Sequence, residues 1–282
     1  MKNIPIPIVA IGPGSQASED DEMAILNLPS GMATFHQPIL PEPEDVEALE
    51  RAREVLEATL AALRTYRCGD KPKVIELAGV DADNIDLINQ AMGEGEVSAR
   101  LEGDGPVLAQ ESVLAGVWRV QYLDQWQQVV RDTLEVADIP HFVRQPPNTC
   151  KALDLDFDGH PLASGNAPSL LAEIRDAQQA WQPGDDAHVI NLSLLPVSEE
   201  ELALLGERIG VGEVTLLSRG YGNCRIGSTR LRHVWWIKFY NSEDRMILNT
   251  VEISDVPAVA LAAQEDIDDS AVRLDEILEL YR

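Results

Sequence analysis

The residues that could do chemistry in this 282-residue chain are few and scattered. Cys68, Cys150 and Cys224 are far apart, and the cysteines and five histidines include no CxxC, HxxxH or HxH pair. A metal site would have to assemble from distant segments, so none is assigned. The stretch GYGNCRIG (220–227) has glycines, but not in the G-x-G-x-x-G spacing that cradles a dinucleotide, and no helical pattern follows it. No G-x-S-x-G or G-x-x-x-x-G-K-[ST] occurs. The acidic pairs Glu265-Asp266 and Asp268-Asp269 fit a helix start, where the dipole favours negative charge. The expectation is no catalytic residue, no metal and no cofactor. Cys224 keeps two readings open. It is a small apolar strand position, or it is a thiol that holds or relays an iron–sulfur cluster.

Contact chemistry is better represented. From Val214 to Ser242 no acid occurs, while Arg219, Arg225, Arg230, Arg232 and Lys238 do, in a chain of formal charge −26. Tyr221, Trp235, Trp236, Phe239 and Tyr240 lie in the same stretch. Arginine mixed with aromatics is the composition of a protein contact surface. The candidate partner-binding residues are therefore Arg219, Tyr221, Asn223, Cys224, Arg225, Arg230, Arg232, Trp235 and Trp236. The plain alternative is that half the aromatics are core and the arginines pair with the acidic terminal helix.

The elements that must position these residues are written twice. DTLEVADIP (132–140) returns as NTVEISDVP (249–257), and a shift of 117 aligns 92–140 with 209–257 without a gap, 13 of 49 positions being identical. Upstream, Ile85, Ile88 and Met92 fall on Leu202, Leu205 and Ile209, both with the i, i+3, i+7 spacing of one helical face. At a shift of 115, Tyr66, Gly69 and Asp70 fall on Trp181, Gly184 and Asp185. Each half opens with an amphipathic helix (Val46, Leu49, Leu56, Leu60 and Leu63 in the first; Leu170, Ile174, Ala177 and Trp181 in the second). A short strand (KVIEL, HVINL), the second helix and three strands follow. Consecutive strands joined by short turns pair antiparallel. The expected class is α+β: two tandem divergent repeats, each helix–strand–helix followed by a three-stranded meander, plus a C-terminal helix. A pseudo-twofold relation between the repeats is compatible with this pattern. In sequence the divisions are an extended arm (1–42), repeat one (43–140), a linker (141–167) and repeat two with the terminal helix (168–282).

Composition bounds the partners. With 22 basic against 48 acidic residues, the chain repels nucleic-acid backbones and anionic membranes. IPIPIVAIG is too short and too proline-broken for a signal peptide or a membrane span, and an odd cysteine count fits a reducing compartment. The expected location is the cytoplasm.

The stretches INLSLLPVSEEELALL, LLSRGYGNCRI, VWWIKFYNSEDRMILNTVEI and DVPAVALAAQEDIDDSAVRLDEILELY resemble the C-terminal conserved region of the HupH/HyaF/HoxQ family of hydrogenase expression and formation proteins. IPIPIVAIGPGSQ and LPSGMATF resemble that family's N-terminus. The resemblance implies a cytoplasmic accessory protein, without enzymatic activity, for a membrane-bound uptake [NiFe] hydrogenase. It implies action on the precursor of the small, iron–sulfur subunit, with its twin-arginine signal peptide, beside a thioredoxin-like partner of the HupG/HyaE/HoxO kind.

Overall fold

The computed structural model describes residues 49–144, 152–219 and 223–280. The expected N-terminal arm, Cys150 and Tyr221 lie outside these residues. Two compact units are formed, one by residues 49–144 with 260–280, the other by 152–259.

In the first unit α1 (Glu50–Thr65) places Val55, Leu56, Leu60 and Leu63 on one buried face. Edge strand β1 (Lys73–Glu76) and helix α2 (Ala82–Met92) follow. Asp81 caps α2 by accepting from Asn84 N at 3.0 Å, and Gly93 ends it at φ 57°, a region that favours glycine. The chain then runs through β2 (Val97–Leu101), β3 (Val107–Glu111), β4 (Val117–Leu123) and β5 (Val129–Val136). The sheet is antiparallel in the order β1-β5-β4-β3-β2. Helix α3 (His141–Arg144) is a single turn, and its Arg144 reaches the buried Asp138 at 2.6 Å. Asp138 also accepts from Tyr66 Oη (2.9 Å) and Gly69 N (3.1 Å), tying the end of α1 to the end of β5.

The second unit repeats this order. Helix α4 (Ala167–Ala180), edge strand β6 (His188–Asn191) and helix α5 (Glu199–Ile209) precede β7 (Val211–Ser218), β8 (Asn223–Thr229), β9 (Val234–Tyr240) and β10 (Met246–Ile253). The strand order is β7-β8-β9-β10-β6, again antiparallel. Ser198 and Glu201 form a capping box on α5, and Gly210 ends it at φ 67°. The inner helix pair is tied alike in both units. Asn84 Oδ1 accepts from Ala52 N at 2.8 Å, and Glu201 Oε1 accepts from Ala167 N at 3.2 Å. Each bond satisfies an amide that the helix itself leaves unpaired.

Two expectations need correction. Each meander has four strands, not three: β3 and β8 are additional to the expected three, and VLAQE and NCRIGST each offer only two or three apolar residues as a signal. The C-terminal helix α6 (Gln264–Glu279), grouped by sequence with repeat two, packs in the first unit instead. Its Ile267, Ala271, Leu274 and Leu278 complete the core made by α1, α2 and the inner face of β4 and β5. The expected linker is also more structured than its composition. Leu153, Leu155 and Phe157 pack against the second core, and Arg208 of α5 pairs with Asp154 and lies 5.2 Å from the Phe157 ring centre.

Candidate functional site

Strand alternation decides which candidate residues can meet a partner. In the second unit Val234, Trp236, Val251 and Ile253 face the helices, packing with Leu171, Ile174, Leu205 and Ile209. Trp235 and Cys224 therefore point to the opposite face of the sheet. Trp235 is 3% exposed and its indole donates to Ser254 O (3.3 Å) and Asp255 O (3.2 Å). Trp236 is 6% exposed and donates to Asn249 Oδ1 at 2.5 Å. Both tryptophans are core, so neither offers its ring to a partner.

The arginines fall into two places. Arg219 and Asn223 stand at the ends of β7 and β8, and Asn223 Nδ2 donates to Asp244 Oδ1 at 3.3 Å. Arg225 stacks over the Tyr240 ring (5.1 Å to its centre), and Lys238 lies 5.7 Å from the Trp236 ring. This interleaving of cations and rings on the helix side of β8 and β9 includes two residues, Lys238 and Tyr240, absent from the candidate set. Arg230 and Arg232 are exposed in the β8–β9 turn, five and seven residues further along, roughly 16 Å or more away at strand rise. Arg230 lays its aliphatic stem over Gly210, where an added Cβ would come within 2.7 Å of Cδ. The backbone carbonyl of Arg232 accepts from Gln178 Nε2 at 2.9 Å. The candidate set is thus split between two strand ends and the core.

Cys224 is 2% exposed, paired in β8 with Ser218 and Phe239. Burial, helped by the Glu252 carboxylate, pushes its thiol up to about 12, so it is neutral at physiological pH. A neutral thiol sealed in a strand is a poor cluster ligand, since ligation needs thiolate and access. Cys68 is exposed, but burial of its sulfur and the nearby Asp138 raise its pKa as well. Among the described residues no group of three or more His, Cys, Asp and Glu is placed to hold a metal ion. Among them, too, no helix is long and apolar enough to cross a membrane.

The first unit holds a polar cluster that the sequence reading passed over. Arg119 on β4 bonds Asp132 of β5 in a two-pronged pair (Nε–Oδ1 3.1 Å, Nη2–Oδ2 2.6 Å) and also reaches Asn89 Oδ1 of α2. Gln121 Nε2 donates to the same Asp132 at 3.2 Å. Each member of the Arg119–Asp132 pair is only 21% exposed. Beside it lies a cavity of about 160 Å³, walled by Ile88, Met92 and Leu134 and rimmed by Gln110, Gln121 and Glu94. The signal available in sequence was the alignment itself: Arg119 falls on Trp236, Asp132 on Asn249, Asn89 on Gly206 and Gln110 on Gly227.

The fold and these side chains define an α+β protein of two units, each with five antiparallel strands and helices packed on their inner face. The family model described as "HupH hydrogenase expression protein, C-terminal conserved region" matches the chain twice, at residues 49–152 and 165–281. Over 280 residues the chain is 45% identical to the hydrogenase expression/formation protein HoxQ of Cupriavidus necator, covering 99% of this chain and 98% of that one. It is 42% identical to the hydrogenase expression/formation protein HupH of Rhodobacter capsulatus over the full length of both. It is 31% identical to the hydrogenase-1 operon protein HyaF of Escherichia coli over 95% of this chain and 94% of the other. The chain belongs to the HupH family of hydrogenase expression proteins.

Proposed function

We propose that this protein is an accessory chaperone for hydrogenase maturation. It binds the precursor of the small, iron–sulfur subunit of a membrane-bound [NiFe] hydrogenase before twin-arginine export, in the cytoplasm and without turnover. The observation that carries the reading is end-to-end similarity to hydrogenase expression/formation proteins. The side-chain chemistry supports binding over catalysis: the thiol of Cys224 is buried and neutral, while cation–ring stacks and exposed arginines lie on the second unit. The exposed Arg230 and Arg232 are the proposed contacts there, along with Arg219 and Asn223. Trp235 and Trp236 are buried on opposite faces of β9 and serve packing rather than partner contact. A formal charge of −26 steers a basic signal peptide toward the protein, an effect that fades with salt. A thioredoxin-like protein of the HupG/HyaE/HoxO kind is the second proposed partner.

The test is binding of the purified protein to small-subunit precursor, with and without its signal peptide, at low and moderate salt. Binding that needs the peptide and weakens with salt supports an export-holding chaperone. Binding that ignores the peptide moves the contact to the mature subunit. No binding under any condition removes the direct-chaperone reading.

A further inference from the structure

The second unit shows what fills the space that the first leaves open. Trp236 sits there among Leu205, Ile209 and Val251, the counterparts of Ile88, Met92 and Leu134. Glycines stand at two equivalent positions that carry side chains in the first unit: Gly227 is its direct cross-strand partner, where β3 has Gln110, and Gly206 stands where α2 has Asn89. In the first unit the same register position carries Arg119, drawn aside by its two-pronged bond to Asp132 and its bond to Asn89. The apolar wall remains and the indole is missing, which leaves the cavity of about 160 Å³. A cavity of roughly 150 Å³ is large enough to take up a benzene ring.

We propose that this cavity is a socket for an aromatic side chain supplied by a partner polypeptide, which the ring enters as Trp236 enters the matching space of the second unit. This rests on the reading that the protein acts by binding another polypeptide. The polar side of the socket suits an indole or a backbone amide more than a plain hydrocarbon. Gln121 and Asn89 offer amide groups, and Asp132 is already neutralised by Arg119. The exposed Glu94 at the rim, with exposed Glu96 two residues on, favours a basic residue beside the inserted ring and disfavours an acidic one.

The probe is 5-fluoroindole with the full-length protein, observed by ligand ¹⁹F NMR and by the methyl signals of ¹³C-labelled methionines. There are five methionines, and Met92 is assigned by Met92→Leu. Saturable binding that shifts the Met92 methyl is expected. The quadruple variant Asn89→Gly, Gln110→Gly, Arg119→Trp, Asp132→Asn writes the second unit's solution into the first. It should stay folded, lose the fluoroindole signal and bind small-subunit precursor at least tenfold more weakly. If the variant unfolds, the Met92 shift in the unaltered protein still decides. No shift there overturns the socket, whatever the precursor does. Unchanged precursor binding by a folded variant overturns the socket's assignment to that partner and leaves the proposed function standing. Precursor binding absent from the unaltered protein, with fluoroindole still bound, overturns the proposed function and the partner assignment together, and makes the cavity a small-molecule site.

Discussion

Arg119 and Trp236 occupy the same register position in two sets of five strands of identical order, and each bonds a polar side chain diagonally across the neighbouring strand, Asp132 or Asn249. One solution is ionic and leaves room; the other is aromatic and fills it. The ionic version depends on both partners. Truncating Arg119 to Ala strands a carboxylate that is only 21% exposed, and about 2 kcal/mol of stability should be lost. Changing Asp132 to Asn in the same chain should recover part of that loss. Urea unfolding of the two single variants and the double measures the coupling. A single-variant loss below about 0.5 kcal/mol would mean the pair behaves as a solvated surface bridge.

Cys224 lies where the first unit has Val107, and both are buried strand residues. Cys224→Val should therefore cost less than about 1 kcal/mol, the usual range for a swap of similar volume. With Cys68 and Cys150 replaced by serine, the remaining thiol should react with a chromogenic disulfide only after denaturant opens the sheet. Rapid reaction of the native protein would revive the cluster-carrier role for this residue.

Glu111 provides a pH signature. Burial raises its carboxyl from an ordinary 4.5 to about 7, against the weak donation of Gly116 N, and Glu96 and Asp266 add repulsion. The folded state therefore binds this proton more tightly than the unfolded chain does. The resulting stability is fully present below about pH 4.5 and is lost as pH rises through about 7. Glu111→Gln should raise stability at pH 8 by about 3 kcal/mol and leave it almost unchanged at pH 4. Thermal melts at the two pH values decide, and equal shifts at both would show that titration of Glu111 is not the cause.

The α+β class and most of its elements were legible because period and spacing survive divergence. Ile85, Ile88 and Met92 keep a helical face, and Leu134 and Val136 keep a strand face, whatever the exact residues. β3 and β8 were not legible, since VLAQE and NCRIGST each carry only two or three apolar residues, although both strands bury alternate residues. The site was harder still. Composition made 214–242 look like one surface, but the pleat turns Trp235 and Trp236 to opposite faces and buries both. A strand hides every second residue, so a count of aromatics cannot separate floor from face. The Arg119 cluster was missed for a different reason: it draws Asn89, Arg119 and Asp132 from three elements, and only their shared register with Gly206, Trp236 and Asn249 marks the place.

The placement of α6 gives the last prediction. Gly116 and His233 are equivalent by alignment, and both adopt the left-handed region, at φ 77° and 61°. In each unit this residue's carbonyl accepts a backbone bond, from Ala137 N or Ser254 N at 2.9 Å, so the turn is held from across the sheet. His233 tolerates the strain and stacks on Trp181, with ring centres 4.6 Å apart. Gly116 has no such freedom, because α6 lies over it. A Cβ there would sit 2.7 Å from Ile267 Cγ1, and Ile267 is fully buried. Gly116→Ala combines backbone strain with overpacking and should destabilise by about 2–3 kcal/mol. Trimming Ile267 to Val in the same chain should return some of that loss, because less side chain then meets the new methyl. If Gly116→Ala melts like the unaltered protein, α6 does not rest on this turn, and its assignment to the first core fails with it.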